Sequence, residues 1–241
     1  MRRFLVFGVA LLVVLVGSFS VAAGGGQTTI GQWRVFSVMP DKAAFWAIDK
    51  AAADGTGGVK FTFAQYQSAS TGSFAVYLKR NYNFDLTGKA ITVTAHWTPG
   101  AYVTRGYPPD TTAFARLEFQ DVSSTGNYGS NDYWWYSGDV FNLNDSSQAS
   151  GKTVTAALSD RVNWSNLCGQ SAADTTVYPG GPNCVGTTDP AGSPYDGFTS
   201  AMKNVKEVSL SFGRASRFAS GVAALGSSSA IFDMTNFVIT P

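Results

Sequence analysis

The sequence predicts an all-β fold, an antiparallel β-sandwich, and three observations carry that prediction. Apolar and polar residues alternate with a period of two in run after run. Clusters of Gly, Pro, Asn, Asp and Ser separate those runs as turn signals. Helical periodicity is weak throughout, while aromatic residues make up 14% of the chain, more than a disordered chain carries. One-sided alternation lets each sheet bury one face and offer the other to solvent or a ligand. Two such sheets pack face to face as a sandwich.

The chain opens on a leader. Arg2 and Arg3 precede the apolar run Phe4–Val16, and small residues follow up to Ala23. A positive start, a short apolar middle and a small-residue cut site define a secretory signal peptide over residues 1–23. The apolar run is short for a membrane span. Gly24–Gly26 begin a flexible stretch to residue 29. No linker or internal repeat divides residues 30–241, so they read as a single β-sandwich domain.

Within that domain Lys42–Ala53 reads as a short helix or irregular turn. Strands are expected over Val59–Phe63, Ala90–Thr98, Phe114–Val122, Thr153–Ser159 and Glu207–Gly213. In each of these, apolar residues such as Ile91, Val93, Ala95 and Trp97 alternate with polar ones such as Thr92, Thr94 and His96. Phe198–Lys203 reads as one helical turn. Ala219–Leu225 and Ala230–Ile239 read as a final strand pair joined by Gly226–Ser229.

Composition narrows the function classes. With 17 basic and 16 acidic residues the chain is near neutral, with no basic stripe for nucleic acid and no polybasic segment for a lipid surface. The leader places the protein outside the cytoplasm, secreted or at the cell surface, with no membrane insertion once the leader is cut. In that oxidising compartment the only two cysteines, Cys168 and Cys184, are expected to form a disulfide. Loop closure of this size contributes roughly 3 kcal/mol by chain entropy. A metal site there lacks further cysteines or a nearby histidine. The sequence does not fix an oligomeric state.

The segments FDLTGKAITVTAHW, YWWYSGDVFNLN, GKTVTAALSDRVNWSNLCG, FTSAMKNVKEVSLSFG and FASGVAALGSSSAIFDMTNFVI follow one another in that order. Over residues 84–240 this succession resembles the galactose-binding-like jelly-roll domains of secreted bacterial proteins and non-catalytic carbohydrate-binding modules. The matching landmarks are Trp164, Asn204-Val205, Phe212-Gly213 and Phe232-Asp233. The resemblance implies a jelly-roll topology and a role as a carbohydrate binder or surface protein. It also implies a structural Ca²⁺ near the closing strand, with Asp233 in the acidic position. Many such proteins end in a sorting tail. This sequence stops at Pro241, and the expectation is a released or surface-associated protein.

Candidate chemistry is sparse, and no catalytic residue is assigned. His96 is the only histidine. No G-x-S-x-G elbow accompanies it, and it reads as a sheet-face residue or a ligand contact. A zinc site would need a cluster of histidines. Glu118 and Glu207 are the only glutamates. Arg116, Glu118 and Gln120 project from one strand face and supply donors and acceptors for sugar hydroxyls. A polysaccharide hydrolase or lyase using Glu118 needs a second carboxyl, for which Asp132 or Asp139 is available. The E-x-D-x-E array of jelly-roll glucanases is absent. Alternation in Tyr133–Tyr136 sends one aromatic pair to the core and the other to the polar face, leaving both Trp134 and Trp135 as candidates. Arg105 and Tyr107, in the loop 99–110, are expected to rim that face. The expected function is non-catalytic binding of a glycan or similar extracellular polymer, needing no cofactor. A structural or adhesive surface protein is the alternative, and a Glu118 hydrolase or lyase the second.

Overall fold

The computed structural model describes residues 33–38, 46–50, 52–53, 58–67, 73–105, 111–121, 129–182, 184, 186, 188–214, 220–226 and 229–241. The expected leader over 1–23, the flexible start to residue 29 and the candidate Tyr107 lie outside the described residues.

The chain runs β1 (Arg34–Val38), β2 (Trp46–Lys50), β3 (Ala52–Ala53), β4 (Val59–Thr62), β5 (Phe74–Phe84), β6 (Ala90–Trp97), β7 (Ala101–Thr104) and β8 (Phe114–Gln120). A 3-10 turn (Ser130–Asp132) leads into β9 (Tyr133–Tyr136), β10 (Phe141–Asn142) and β11 (Lys152–Ala157). A second 3-10 turn (Arg161–Asn163) leads into β12 (Trp164–Asn166), β13 (Gly181–Pro182) and β14 (Thr188–Asp189). Helix α1 (Pro194–Lys203) then precedes β15 (Val205–Gly213), β16 (Val222–Leu225) and β17 (Ile231–Thr240).

The expected all-β sandwich is what these strands build. The larger, ten-stranded sheet has the order β12-β9-β8-β15-β5-β1-β2, with β10 beside β8 and β16 joining β5 to β7. The smaller sheet has the order β11-β6-β17-β4-β3, and β13 and β14 form a separate ladder. Leu78, Leu117, Phe119, Val208 and Leu210 of the larger sheet share one core with Ile91, Val93, Phe232 and Phe237 of the smaller one. Aromatic edges tie the layers together: Phe212 meets Phe232 at 5.2 Å and Phe61 at 5.5 Å between ring centroids.

Helix α1 closes one end of that core. Ser193 caps it, its hydroxyl accepting from Asp196 N at 3.1 Å, and Pro194 supplies a pre-set first turn. Phe198 then inserts beside Trp134 at 4.9 Å and Phe119 at 5.6 Å. The cap explains why the helix begins four residues before the single turn read from Phe198.

Three expectations are corrected. Within Lys42–Ala53, Trp46–Lys50 is a strand pairing antiparallel with β1, not a helix or irregular turn. β16 and β17 are not partners: β16 pairs with β5 and β7, and β17 pairs with β4 and β6. The connection after Leu225 therefore crosses between layers, because both strands bury residues in the shared core. The larger sheet also departs from one-sided burial. β5 is buried at seven consecutive positions, Phe74–Arg80, and carries no alternation that a period-two reading can detect.

Candidate functional site

One face of the larger sheet forms the shared core; on the other, polar and charged residues stand beside a second buried apolar cluster of Val38, Phe74, Val76, Tyr77, Val103 and Ala223. Registers fix which residues stand side by side there. Trp135 (β9) pairs with Glu118 (β8), Glu118 with Ser209 (β15), and Ser209 with Lys79 (β5). Two residues along, Tyr133 pairs with Gln120 and Gln120 with Glu207. In the other direction Arg116 pairs with Ser211, Ser211 with Tyr77, and Tyr77 with Phe36 of β1. Cross-strand neighbours on one face lie about 5 Å apart at Cβ, so these side chains form a continuous array.

This array is withdrawn from solvent. Among Lys79, Arg116, Glu118, Gln120, Glu207, Ser209 and Ser211, none exceeds 7% exposure. Lys79 Nζ bonds Glu207 Oε2 at 2.6 Å and sits 4.5 Å above the Phe36 ring. Gln120 Nε2 donates to Glu118 Oε1. Arg116 Nη1 donates to Arg214 O at 2.9 Å, and its guanidinium lies over Phe114. The rings of Tyr133 and Trp135 stack, 5.9 Å apart and 17° from parallel.

Burial governs the titration of these groups. It pushes the Glu118 carboxyl up to about 7, against the opposing pull of Gln120, Lys79, Trp135 and Ser209. At neutral pH Glu118 is thus part acid and part carboxylate, able to donate as well as accept. Burial pulls the Arg116 guanidinium down to about 10. A carboxyl pair closes the end of the face, since Asp121 follows Gln120 and Asp132 precedes Tyr133. Asp121 N donates to Asp132 O at 3.1 Å. Burial, reinforced by Asp132, raises Asp121 to about 7, and burial raises Asp132 as well.

Of the expected ligand residues, Arg116, Glu118, Gln120 and Trp135 come together on this face. Trp134 does not, which corrects its place in the expected set. It is wholly buried, as Trp135 is, but it pairs with core-facing Phe119, and its indole donates to Asn131 O at 2.6 Å. His96 is also separated from the row, because β6 belongs to the smaller sheet. There it is half-buried, so close to Gly151 that a Cβ on that glycine would come within 3.1 Å of the imidazole. Arg105 follows β7, beyond β16, and its N–H donates to Gly221 O at 3.1 Å. Asp139, one of the two possible second carboxyls, is turned outward and pairs with Lys152 at 2.7 Å.

Lys79 and Glu207 belong to the site and were not expected there. Lys79 is hidden in a strand buried on both faces. Glu207, Ser209 and Ser211 do alternate with Val208, Leu210 and Phe212, a signal that becomes a site only once β15 is known to lie between β5 and β8.

Asp233 lies on the outer face of the smaller sheet, paired with Lys60 on one side and His96 on the other. Among the described residues no group of three or more His, Cys, Asp or Glu side chains gathers to hold a metal. One carboxylate flanked by a lysine and a histidine does not fit the oxygen-rich shell that Ca²⁺ requires. The expected Cys168–Cys184 disulfide is present, with Cα atoms 5.5 Å apart. No helix among the described residues is long and apolar enough to cross a membrane.

No family model matches this chain, and no curated protein does. Among solved structures it is similar to a Bacillus licheniformis β-glucanase, at 8% identity and a TM-score of 0.40, covering 88% of this chain and 94% of that one. It is similar to LamAcat from Zobellia galactanivorans at 13% identity and a TM-score of 0.32, covering 87% and 90%. It is also similar to Xylanase10C from Cellvibrio japonicus in complex with xylopentaose, at 10% identity and a TM-score of 0.31, covering 86% of this chain. The match spans 27% of the xylanase's length. The xylanase and the β-glucanase are carbohydrate-active by name, and none of the three is named as a galactose-binding-like domain.

Proposed function

We propose that this is an exported, non-catalytic module that binds a glycan through the polar face of its larger sheet. The observation that carries the reading is the array of Lys79, Arg116, Glu118 and Glu207 beside the stacked rings of Tyr133 and Trp135. Withdrawing an ion from water costs several kcal/mol even after relaxation, and apolar residues of similar volume are often as stable or more so. A face built only to hold the fold therefore has little use for four ionisable groups. Buried groups with displaced pKa values, here Glu118 and Arg116, are enriched at functional sites.

The chemistry of the array suits a polyhydroxylated ligand. Lys79, Arg116 and Gln120 donate, Glu207 accepts, and Glu118 does either near neutral pH. An aromatic ring supplies the apolar surface that a pyranose ring lies against. Such a few polar groups on an apolar support are the composition of small-molecule sites generally. Because these residues are buried, binding requires whatever packs over the face to give way.

A second reading is favoured by one specific observation. A carboxyl raised to about 7 is matched to general-acid work at neutral pH. Glu207, diagonal to Glu118 on the adjoining strand, is the second carboxyl on the same face. Its ion pair with Lys79 has to be broken or exploited for a hydrolase or lyase to use it.

Glycan-array binding by the secreted protein, with Trp135→Ala and Glu118→Gln variants and product analysis, separates the readings. The module predicts binding that weakens at least about tenfold in Trp135→Ala, with no product released. Product formed by the wild type and lost in Glu118→Gln establishes the enzyme instead. A folded wild type that binds no glycan and self-associates overturns both in favour of a structural or adhesive role.

A further inference from the structure

Arg80 lies between the two layers without a polar partner. Residues 78, 80, 82 and 84 of β5 share one side of the strand, and their exposure rises from core to rim. Leu78 is wholly buried, Arg80 is 6% exposed, Tyr82 is half-buried and Phe84 is 67% exposed. Rings surround the guanidinium, with Trp33 at 5.3 Å, Phe237 of the smaller sheet at 5.1 Å and Tyr82 at 6.0 Å. Among the described residues Arg80 makes no hydrogen bond and no ion pair, and its Nε is closed from solvent with no acceptor. Trp33 Nε1, on the wholly buried side chain against it, also lacks an acceptor. We infer that Arg80 is an anion site whose ligand is a carboxylate borne on a ring, as in a uronic or an aromatic acid. The inference does not rest on the sheet-face reading.

An unpaired charge taken out of water is costly. Ring faces return part of that cost, but a cation–π contact is weaker than a charge-assisted hydrogen bond. The other buried cations of the larger sheet are answered: Lys79 by Glu207 at 2.6 Å and Arg116 by Arg214 O at 2.9 Å. Even the more open Arg161, whose guanidinium also lies over a ring, donates to Tyr195 O and Thr199 Oγ1. Arg80 stands apart from all three. Burial holds its guanidinium below the ordinary value, and Tyr82 is the group that pulls it back. Among the described residues no carboxylate shares that role, so a bound anion would supply the missing counter-charge.

The class of anion follows from the donors and the wall. With Nε closed off, Nη1 and Nη2 are the nitrogens open to a ligand. They form a planar fork that matches the two oxygens of a carboxylate. A single cation suits a single negative charge better than a phosphate dianion. Beyond the guanidinium, Tyr82 and Phe84 continue the stripe with ring centroids 5.0 Å apart, an apolar wall for the ring of a bound acid. Trp33 and Phe237, packed edge to face at 4.9 Å, already hold the guanidinium in place. Binding therefore costs little side-chain freedom.

The test follows the Arg80 Nε–H and Trp33 Nε1–H resonances of the full chain at constant ionic strength. Acetate, benzoate, methyl glucuronide, inorganic phosphate and methyl glucoside are each added at millimolar concentration. Saturable shifts of both resonances are expected with the three carboxylates and none with methyl glucoside. Benzoate binding tighter than methyl glucuronide assigns the site to an organic acid, and the reverse order assigns it to an acidic sugar. Arg80→Met abolishes the Trp33 shift, and Arg80→Lys, which keeps the charge without the fork, weakens binding about tenfold. Tyr82→Ala weakens the two ring-bearing acids at least about threefold and leaves acetate unchanged. Trp135→Ala alters none of this, so failure of the sheet face and failure of this site are read separately. A folded wild type in which no carboxylate moves either resonance overturns the inference. So does an equal response to methyl glucoside, phosphate binding tighter than the carboxylates, or binding retained in Arg80→Met.

Discussion

The two sheets each present a polar face away from the shared core, and those faces differ in kind. On the smaller sheet the face is mostly neutral and half-exposed. Thr92 pairs with Thr155 at 3.0 Å and Thr94 with Thr153 at 2.8 Å, hydroxyl to hydroxyl. On the larger sheet the face is charged, aromatic and buried. Exposed threonine ladders are ordinary β-surface, favoured by β-branched packing and cheap to solvate. Buried Lys79, Arg116, Glu118 and Glu207 are costly, and the cost points to chemistry beyond folding. The contrast is the ground for proposing function on the larger sheet, and it rests on no motif.

The sharpest way to break this contrast is to unpair a buried ion. Glu207→Ala leaves Lys79 without its 2.6 Å partner and is expected to destabilise the protein by about 3–5 kcal/mol in urea unfolding. The double change Lys79→Met with Glu207→Leu removes both charges and should recover most of that loss. A small effect of Glu207→Ala would mean that the face is wet and its charges solvated.

Acidity sharpens the contrast next. Glu118 titrates at about 7 in the folded protein against an ordinary 4.5. The folded state then holds more protons than the unfolded state between those values. Stability from this group is complete below about pH 4.5 and is lost as pH rises through 7, by about 3 kcal/mol in all. Asp121, also raised to about 7, adds in the same direction. Glu118→Gln should therefore flatten part of the decline, leaving the Asp121 share, when unfolding is followed from pH 4 to 8. An unaltered pH profile in that variant contradicts a buried Glu118.

The disulfide offers a control outside both faces. Replacing Cys168 and Cys184 by serine is expected to cost roughly 3 kcal/mol by loop entropy at every pH. A pH-dependent loss would couple the loop to the carboxyl groups instead. The smallest effect belongs to the smaller sheet, where Thr94→Ala breaks one exposed hydroxyl pair and should cost no more than about 1 kcal/mol.

Much of this was legible in the sequence. β6, β8, β11 and β15 alternate cleanly in sequence, because each turns one set of residues to the core, whereas β17 shifts phase at Thr235-Asn236. β5 does not alternate, since both of its faces are buried and its apolar and charged residues run together. That one strand concealed Lys79, and with it the ion pair that defines the site. Parity also escaped the sequence in Tyr133–Tyr136, where either indole suited the polar face. The register with Phe119 and Glu118 decides it, sending Trp134 inward and Trp135 outward from the core. Alternation gives the period of a strand, whereas its phase is set by partners distant in sequence.

That parity supplies the most direct test of the glycan-binding claim. The indole N–H resonances of Trp134 and Trp135 can be followed while the protein is titrated with a panel of soluble neutral oligosaccharides. The account predicts a saturable shift of Trp135 with Trp134 nearly still. A folded protein in which no oligosaccharide moves Trp135, or in which both indoles move alike, would contradict it.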